Sequence, residues 1–245
     1  MKYEILTSIP NHMAIQDKVT SKAWPEFMLH DPVCNKYWSK LFEIFPQYQF
    51  TLTHDSELLG IANCIPFVWH KSFKKLPENG WDWVLEKGFI DKQNGLKPNI
   101  LNGLQIVVAK KFQGKKISSV ILQAMINLAK KHGFKFITIP VRPSLKSRYP
   151  LTSIDNYIQW KRQDGLPFDP WLRVHIRMGA EIIKPCHEAM YISGTISEWE
   201  QWTNMKFFES GLHIIEGALN PVAINIEKNL GEYIEPNVWV VHKVD

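Results

Sequence analysis

The stretch Ile100-Leu101-Asn102-Gly103-Leu104-Gln105-Ile106-Val107-Val108-Ala109-Lys110-Lys111-Phe112-Gln113-Gly114-Lys115-Lys116-Ile117-Ser118 decides the fold. Residues 100–109 are largely apolar and read as a strand, and residues 114–132 read as a helix. Ile117, Val120, Ile121, Ala124, Met125 and Leu128 recur at helical spacing, the stripe of a helix laid on a sheet, and Gly133 supplies the stop. Residues 135–141 form the next strand, so strand, helix and strand follow one another at the length of a crossover unit. Lys110, Lys111, Lys115 and Lys116 crowd the helix start, where the macrodipole is already positive and each cation is unfavourable by a few tenths of a kcal/mol. Two readings fit. The free N-terminal amides and flanking ammonium groups hold a phosphate or pyrophosphate, or the lysines form a solvated turn.

Outward from this junction, residues 13–23 and 34–45 carry apolar side chains at helical spacing, Trp38, Leu41, Phe42 and Phe45 most clearly. Residues 50–53 and 58–65 read as strands joined by the polar turn His54-Asp55-Ser56-Glu57. Residues 71–98 hold Pro77, Gly80, Gly88, Gly95 and Pro98 around a short amphipathic piece, 81–89, and read as a loop-rich insertion. Thr152 with Asp155 forms a capping box before Ile154, Tyr157 and Ile158. Asp169-Pro170 is an N-cap with a first-turn proline, and Gly179 ends that short helix. Residues 181–184 and 189–193 read as strands, 198–202 as a helical turn and 213–241 as a β-rich tail. Neither a repeat nor a composition break marks a linker, so one α/β domain with additions at both ends is expected.

Composition narrows the function. The chain has 245 residues, 45% of them hydrophobic and 22% charged, which is ordinary globular usage and excludes a disordered or fibrous chain. A formal charge of +5 suits an anionic ligand but is too small for a nucleic-acid partner. The opening MKYEILTSIP lacks the basic and apolar regions of a signal peptide, and residues 60–69 are too short to cross a bilayer, so a cytoplasmic protein without a membrane partner is expected. Cys34, Cys64 and Cys186 are odd in number and scattered, which argues against a disulfide framework or a cysteine metal site.

At the phosphate-facing junction the residues resemble a family. Gln113-Gly114-Lys115-Lys116-Ile117-Ser118 is similar to the acyl-CoA motif of the GNAT (GCN5-related N-acetyltransferase) superfamily, Gln or Arg, two residues, Gly, one residue, Gly or Ala. Gln113 matches; Ser118 keeps a small residue; Lys116 stands where the family has Gly, which fits if its backbone stays out of positive φ. The resemblance, over residues 58–192, implies a mixed, mostly antiparallel sheet flanked by helices. It implies an acyl-CoA-binding domain over 1–192 and a β-rich C-terminal extension, 193–245, packed on it. It further implies that backbone amides of Gln113, Gly114, Lys115, Lys116, Ile117 and Ser118 hold the CoA pyrophosphate, and that the pantetheine arm pairs with Ile106, Val107 and Val108 between two splayed strands. An amide near Val107 would polarise the thioester carbonyl.

Acyl transfer to an amine needs a neutral nucleophile, a route for its proton and a donor to the leaving thiolate. Many family members carry a Glu on the motif's own strand; residues 99–106 hold no carboxylate, so the base lies elsewhere or acts through water. Asp169-Pro170-Trp171-Leu172-Arg173-Val174-His175, followed by Gly179-Ala180 and Ile182, resembles a stretch of the GNAT-like proteins of polyketide synthase loading modules. That resemblance implies that His175 and Thr138 line the acyl site, and the superfamily implies Tyr157 as acid to the thiolate; core packing is the alternative for His175 and Tyr157. Arg142, Arg148, Arg173 and Arg177 suit an acidic acceptor or a malonyl carboxylate, or surface roles. Cys186 and His187 point to opposite faces of a strand and cannot act together. Trp199-Glu200-Gln201-Trp202 and Trp81-Asp82-Trp83 wall an acceptor pocket or pack added segments. The leading expectation is an acyltransferase that passes an acetyl or other short acyl group from acyl-CoA directly to a small-molecule amine, without a metal. The alternatives are malonyl-CoA decarboxylation or acyl loading onto a carrier protein, and a non-catalytic CoA-binding module. The tail after His213 is open to pairing across a homodimer, and acceptor specificity is expected in the loops 71–98 and 142–168.

Overall fold

The computed structural model describes residues 3–21 and 23–244. β1 (Glu4–Thr7) leads into α1 (His12–Thr20) and α2 (Pro32–Ile44). α2 starts where Asp31 accepts the Cys34 amide at 2.6 Å and Pro32 fills the first turn. β2 (Gln49–His54) and β3 (Glu57–Phe67) follow as a hairpin, then α3 (Gly80–Gln93), β4 (Ile100–Val108), α4 (Ile117–Lys131) and β5 (Phe136–Val141). α5 (Ile154–Tyr157) and α6 (Pro170–Arg177) precede β6 (Glu181–Gly194), α7 (Ile196–Thr203), β7 (Gly211–His213), β8 (Val222–Asn225) and β9 (Leu230–Lys243).

The nine strands among the described residues share one sheet in the order β1-β2-β3-β4-β5-β9-β8-β7, with β6 also on β9. Every neighbouring pair is antiparallel except β4 and β5. β9 is gripped by β6 along one edge and by β5, then β8, along the other. The β-rich C-terminal segment thus supplies a central strand.

Helices cover both faces. α4 lies on one: a Cβ at Gly60 would meet Ile121 at 2.6 Å, and one at Gly103 would meet Met125 at 2.9 Å. α3 lies on the other, with Gly88 directly against the Ile65 side chain. Residues paired across a ladder share a face. Ile65 is paired with Asn102, and Asn102 with Thr138, so these three lie on the α3 side. Ile137, one residue along and paired with His242, lies on the α4 side.

Three local expectations change. Residues 71–98 contain a 14-residue helix, because Gly88 is a contact point against β3 and not a breaker. The cap of α5 is Ser153, whose hydroxyl accepts the Asn156 amide, and not Thr152. Residues 181–194 are one strand; its shifts in register at 182–184 and 186–190 accommodate the residues that separate the two expected pieces.

Candidate functional site

β4 and β5 meet only through Leu101 with Ile137 and Asn102 with Thr138, and both strands then continue without further pairing. Two parallel strands that part at their C-terminal ends leave backbone groups without ladder partners. Which groups face the fork follows from the other edge of β4. The Ala109 amide donates to the Leu59 carbonyl at 2.9 Å, and the unbroken register to Ile61 with Val107 turns the Val107 backbone to β3. Alternation then aims the Ile106 and Val108 backbones at the fork. The amides near Val107 that are open to a ligand are therefore those of its two neighbours.

At the mouth of the fork the chain turns into α4. Gln113 Nε2 donates to the Val108 carbonyl at 3.2 Å, tying the turn to the strand end. Gly114 has φ 76° with open space where a Cβ would be, and Lys116 has φ 62°. The condition attached to Lys116 is thus not met: a lysine holds a left-handed turn that glycine adopts without strain, at a cost of about 1 kcal/mol. Among the described residues the Lys115 amide returns to Phe112 and those of Ser119 and Val120 to Lys116, whereas the amides of Gly114, Lys116, Ile117 and Ser118 have no backbone acceptor. Lys111 is paired with Glu57, leaving Lys110, Lys115 and Lys116 without a carboxylate partner among the described residues. Free amides, a glycine with nothing over it and three uncompensated ammonium groups fit a pyrophosphate.

On the α3 side of the fork, side chains take over. Thr138 donates to Asn102 Oδ1 at 2.8 Å, both fully buried. Gln105, also on this side, donates to Asn63 at 2.8 Å and accepts from the Trp24 indole at 3.3 Å. The Trp81 indole donates to the Leu104 carbonyl at 2.8 Å, anchoring the start of α3 to β4. Arg142, just past β5, lies over the Trp24 ring and donates to Glu235 Oε1 at 2.7 Å.

A fork beside unpartnered amides is the geometry the motif resemblance implies, and comparison with known proteins gives the family. No family model matches the chain. The arginine N-acetyltransferase avaD of Aspergillus versicolor is 30% identical over 252 residues, covering 91% of this chain and 86% of that protein. The chain belongs to the GNAT superfamily. Two solved GNAT-like structures share the fold at low identity. The loading GNATL domain of CurA from Lyngbya majuscula has a TM-score of 0.64 at 16% identity, over 100% of this chain and 98% of that one. The GphF GNAT-like decarboxylase in complex with isobutyryl-CoA has a TM-score of 0.57 at 12% identity, over the whole of both. The protein is a GNAT-type acyltransferase of the N-acetyltransferase kind.

Within this GNAT framework the three residues singled out for catalysis fall in three places. Thr138 is at the fork. His175, fully buried on α6, shares a hydrogen bond of 2.9 Å between its Nδ1 and His242 Nε2, and its Nε2 has no partner. Because His242 sits on the α4 side with Ile137, this imidazole pair and Thr138 lie on opposite faces of the sheet. Burial, then the neighbouring imidazole, lowers the pKa of His175 well below the usual histidine range; burial takes His242 down to about 4. Both rings are neutral at pH 7. The Tyr157 hydroxyl donates to Asp169 Oδ2 at 2.9 Å, and Asp169 Oδ1 also caps α6 through the Trp171 and Leu172 amides. Burial, then the charge of Asp169, raises the tyrosine pKa.

Other expectations resolve in the same way. Arg142 gives its charge to Glu235 and is not open to an anionic acceptor, and Arg173 Nη1 donates to the carbonyls of Pro167 and Phe168 at 2.8 Å. Trp199 is core, and Trp83 lines a surface cavity. Asn102, Gln105 and Trp24 went unnoticed in the sequence. The signal for the two amides was there, as polar residues inside an apolar strand.

Proposed function

We propose that the enzyme transfers a short acyl group, acetyl foremost, from acyl-CoA to the nitrogen of a basic small molecule of the arginine type, in the cytoplasm and by direct attack. The observation that carries this reading is the fork between β4 and β5 opening beside the unpartnered amides at the start of α4. Acyl-CoA supplies the activated acyl group. The amides of Gly114, Lys116, Ile117 and Ser118, with the ammonium groups of Lys115 and Lys116, hold the pyrophosphate, and Gln113 fixes the turn that presents them. The Ile106 and Val108 backbones line the arm of the cofactor, with one of their amides polarising the acyl carbonyl. Thr138 and Asn102 form the floor of the fork, where the acceptor nitrogen approaches from the α3 side.

Direct attack is supported by the state of the cysteines. Burial pushes the thiols of Cys64 and Cys186 up, and burial with the nearby Asp31 and Asp82 charges takes Cys34 up to about 12, so none of the three is an activated nucleophile. The arginine-type acceptor follows the relative avaD, an arginine N-acetyltransferase. His175 pairs with His242 and not with Thr138, which favours transfer over a decarboxylation needing both at one carbon. Two positioning roles are assigned with this reading: neutral His175 holds α6 to β9 through His242, and Tyr157 ties α6 through Asp169.

The test is release of free CoA from acetyl-CoA and malonyl-CoA across a panel of amines including arginine and its amide. Acetyl-CoA with a basic amine is expected to give turnover, and Lys115→Glu/Lys116→Glu to raise the KM for acetyl-CoA by at least tenfold, the loss of about two charge-assisted contacts, with the melting temperature unchanged. Carbon dioxide from malonyl-CoA without transfer, or an unmoved KM in the double variant, overturns the reading.

A further inference from the structure

Two buried carboxylates, Asp31 and Glu235, and the half-buried Asp82 gather on the α3 side with one guanidinium among them. Asp31 is fully buried; its Oδ1 takes the Cys34 amide and its Oδ2 has no partner. Asp82, on α3, takes the Tyr191 amide on Oδ2 at 3.2 Å, and its Oδ1 has no partner. Glu235, on β9, is satisfied by Arg142, by the Tyr233 hydroxyl at 2.8 Å and by Asn237. Arg142 in turn gives a second nitrogen to the Gly217 carbonyl at 2.5 Å, so nothing of it reaches the aspartates. Asp31 and Asp82 face each other without a cation. Burial raises both carboxyls and the Glu235 charge adds to it; the contact between the two aspartates lowers Asp31 and raises Asp82, so the proton they share rests on Asp82.

Asp82 also forms part of the wall of a cavity of about 370 Å³, within the range of small-ligand sites. Glu86 and Glu188 join it from α3 and β6, and Trp83 and Tyr191 add aromatic rings. No lysine or arginine lines the cavity; Lys36 reaches Glu86 at 3.5 Å and is itself exposed. Carboxylates beside flat aromatic surface fit a planar, delocalised cation better than a compact ammonium. Asp82 follows Trp81, whose indole donates to the Leu104 carbonyl of β4, so the start of α3 that walls the cavity is tied to a strand of the fork.

We infer that this cavity receives the guanidinium of the acceptor, with Asp82 as its direct partner and buried Asp31 as the second carboxylate behind it. The inference rests on the acyl-transfer reading above and adds the subsite that selects the acceptor. Entry of the cation replaces the shared proton, which leaves to solvent. The charged groups facing the pair are Glu235 from β9, with Arg142 beyond it, and Glu86 and Glu188 at the rim; the Cys34 and Tyr191 amides complete its surroundings.

Calorimetric titration of the protein with argininamide and with its neutral isostere citrullinamide, in buffers of different ionisation heat, tests this. Argininamide is expected to bind at least tenfold more tightly than citrullinamide and to release a proton at pH 7. Asp82→Asn should weaken argininamide at least tenfold and abolish the release. Glu188→Gln should weaken it severalfold; its side chain is exposed and makes no hydrogen bond among the described residues, so this variant decides the matter if Asp82→Asn does not fold. Equal affinity for the two amides, or unchanged affinity in both variants, overturns the inference. Failure of the transfer reading has another signature, tight argininamide binding without CoA release.

Discussion

The two sides of the β4–β5 fork are built from different materials. On the α4 side the surface proposed for the cofactor is backbone: the unpartnered amides of Gly114, Lys116, Ile117 and Ser118, held by a left-handed turn and surrounded by lysines. On the α3 side it is side chain: Asn102 and Thr138 at the floor, Gln105 and Trp24 along the wall, and Asp31, Asp82 and Glu235 behind. A backbone surface suits a group common to a whole superfamily, because amides present the same donors whatever the side chain, a lysine at position 116 included. A side-chain surface draws on α2, α3, β4 and β9 and changes with any of them, so it is where one family member differs from another.

The contrast breaks most severely at Arg142. Arg142→Ala leaves Glu235, 1% exposed, charged and unpaired, and is expected to lower the unfolding free energy by about 3–5 kcal/mol in urea melts. No single lysine of the cradle should approach that.

A smaller effect sharpens the α4 side. His175 and His242 have folded pKa values below the unfolded one near 6.5, so the unfolded chain binds more protons in acid. Their contribution is complete above pH 6.5 and is lost as the pH falls towards 4, by on the order of 1 kcal/mol per pH unit for each ring. His242→Leu should flatten this fall; the slope of stability between pH 6.5 and 4.5 measures it, and an unchanged slope removes the imidazole pair from the account.

Smallest is Lys116→Gly. Removing the left-handed strain should stabilise the protein by up to about 1 kcal/mol, partly offset by the freer unfolded chain, for a rise of roughly 2 °C in melting temperature. If the cradle binds through its backbone, the KM for acetyl-CoA stays within about threefold, in contrast to the double charge reversal.

What the sequence disclosed follows the same division. The strand, the turn and the amphipathic helix from Ile100 to Lys131 are contiguous, and so are the cap and first-turn proline at Asp169 and Pro170; local rules reach them. Gly88 misled because its role is set by Ile65 on another element, and Ser153 was passed over for a neighbour with the better-known pattern. Asp31 caps α2 and Asp82 lies in the first turn of α3, on separate segments. Only the fold sets them face to face, and no spacing within one segment announces such a pair. Arg142 was visible as a cation, but its partner Glu235 is on β9.

The position of β9 has a consequence for how the molecule comes into being. Because this late segment lies between β5 and β6, those two strands wait on the ribosome with open edges until residues 230–243 emerge, and the half of the sheet that carries His242 and Glu235 closes last. The nascent chain should therefore depend on chaperone shelter more than its ordinary composition suggests, and acceptor selectivity should be among the final properties it acquires.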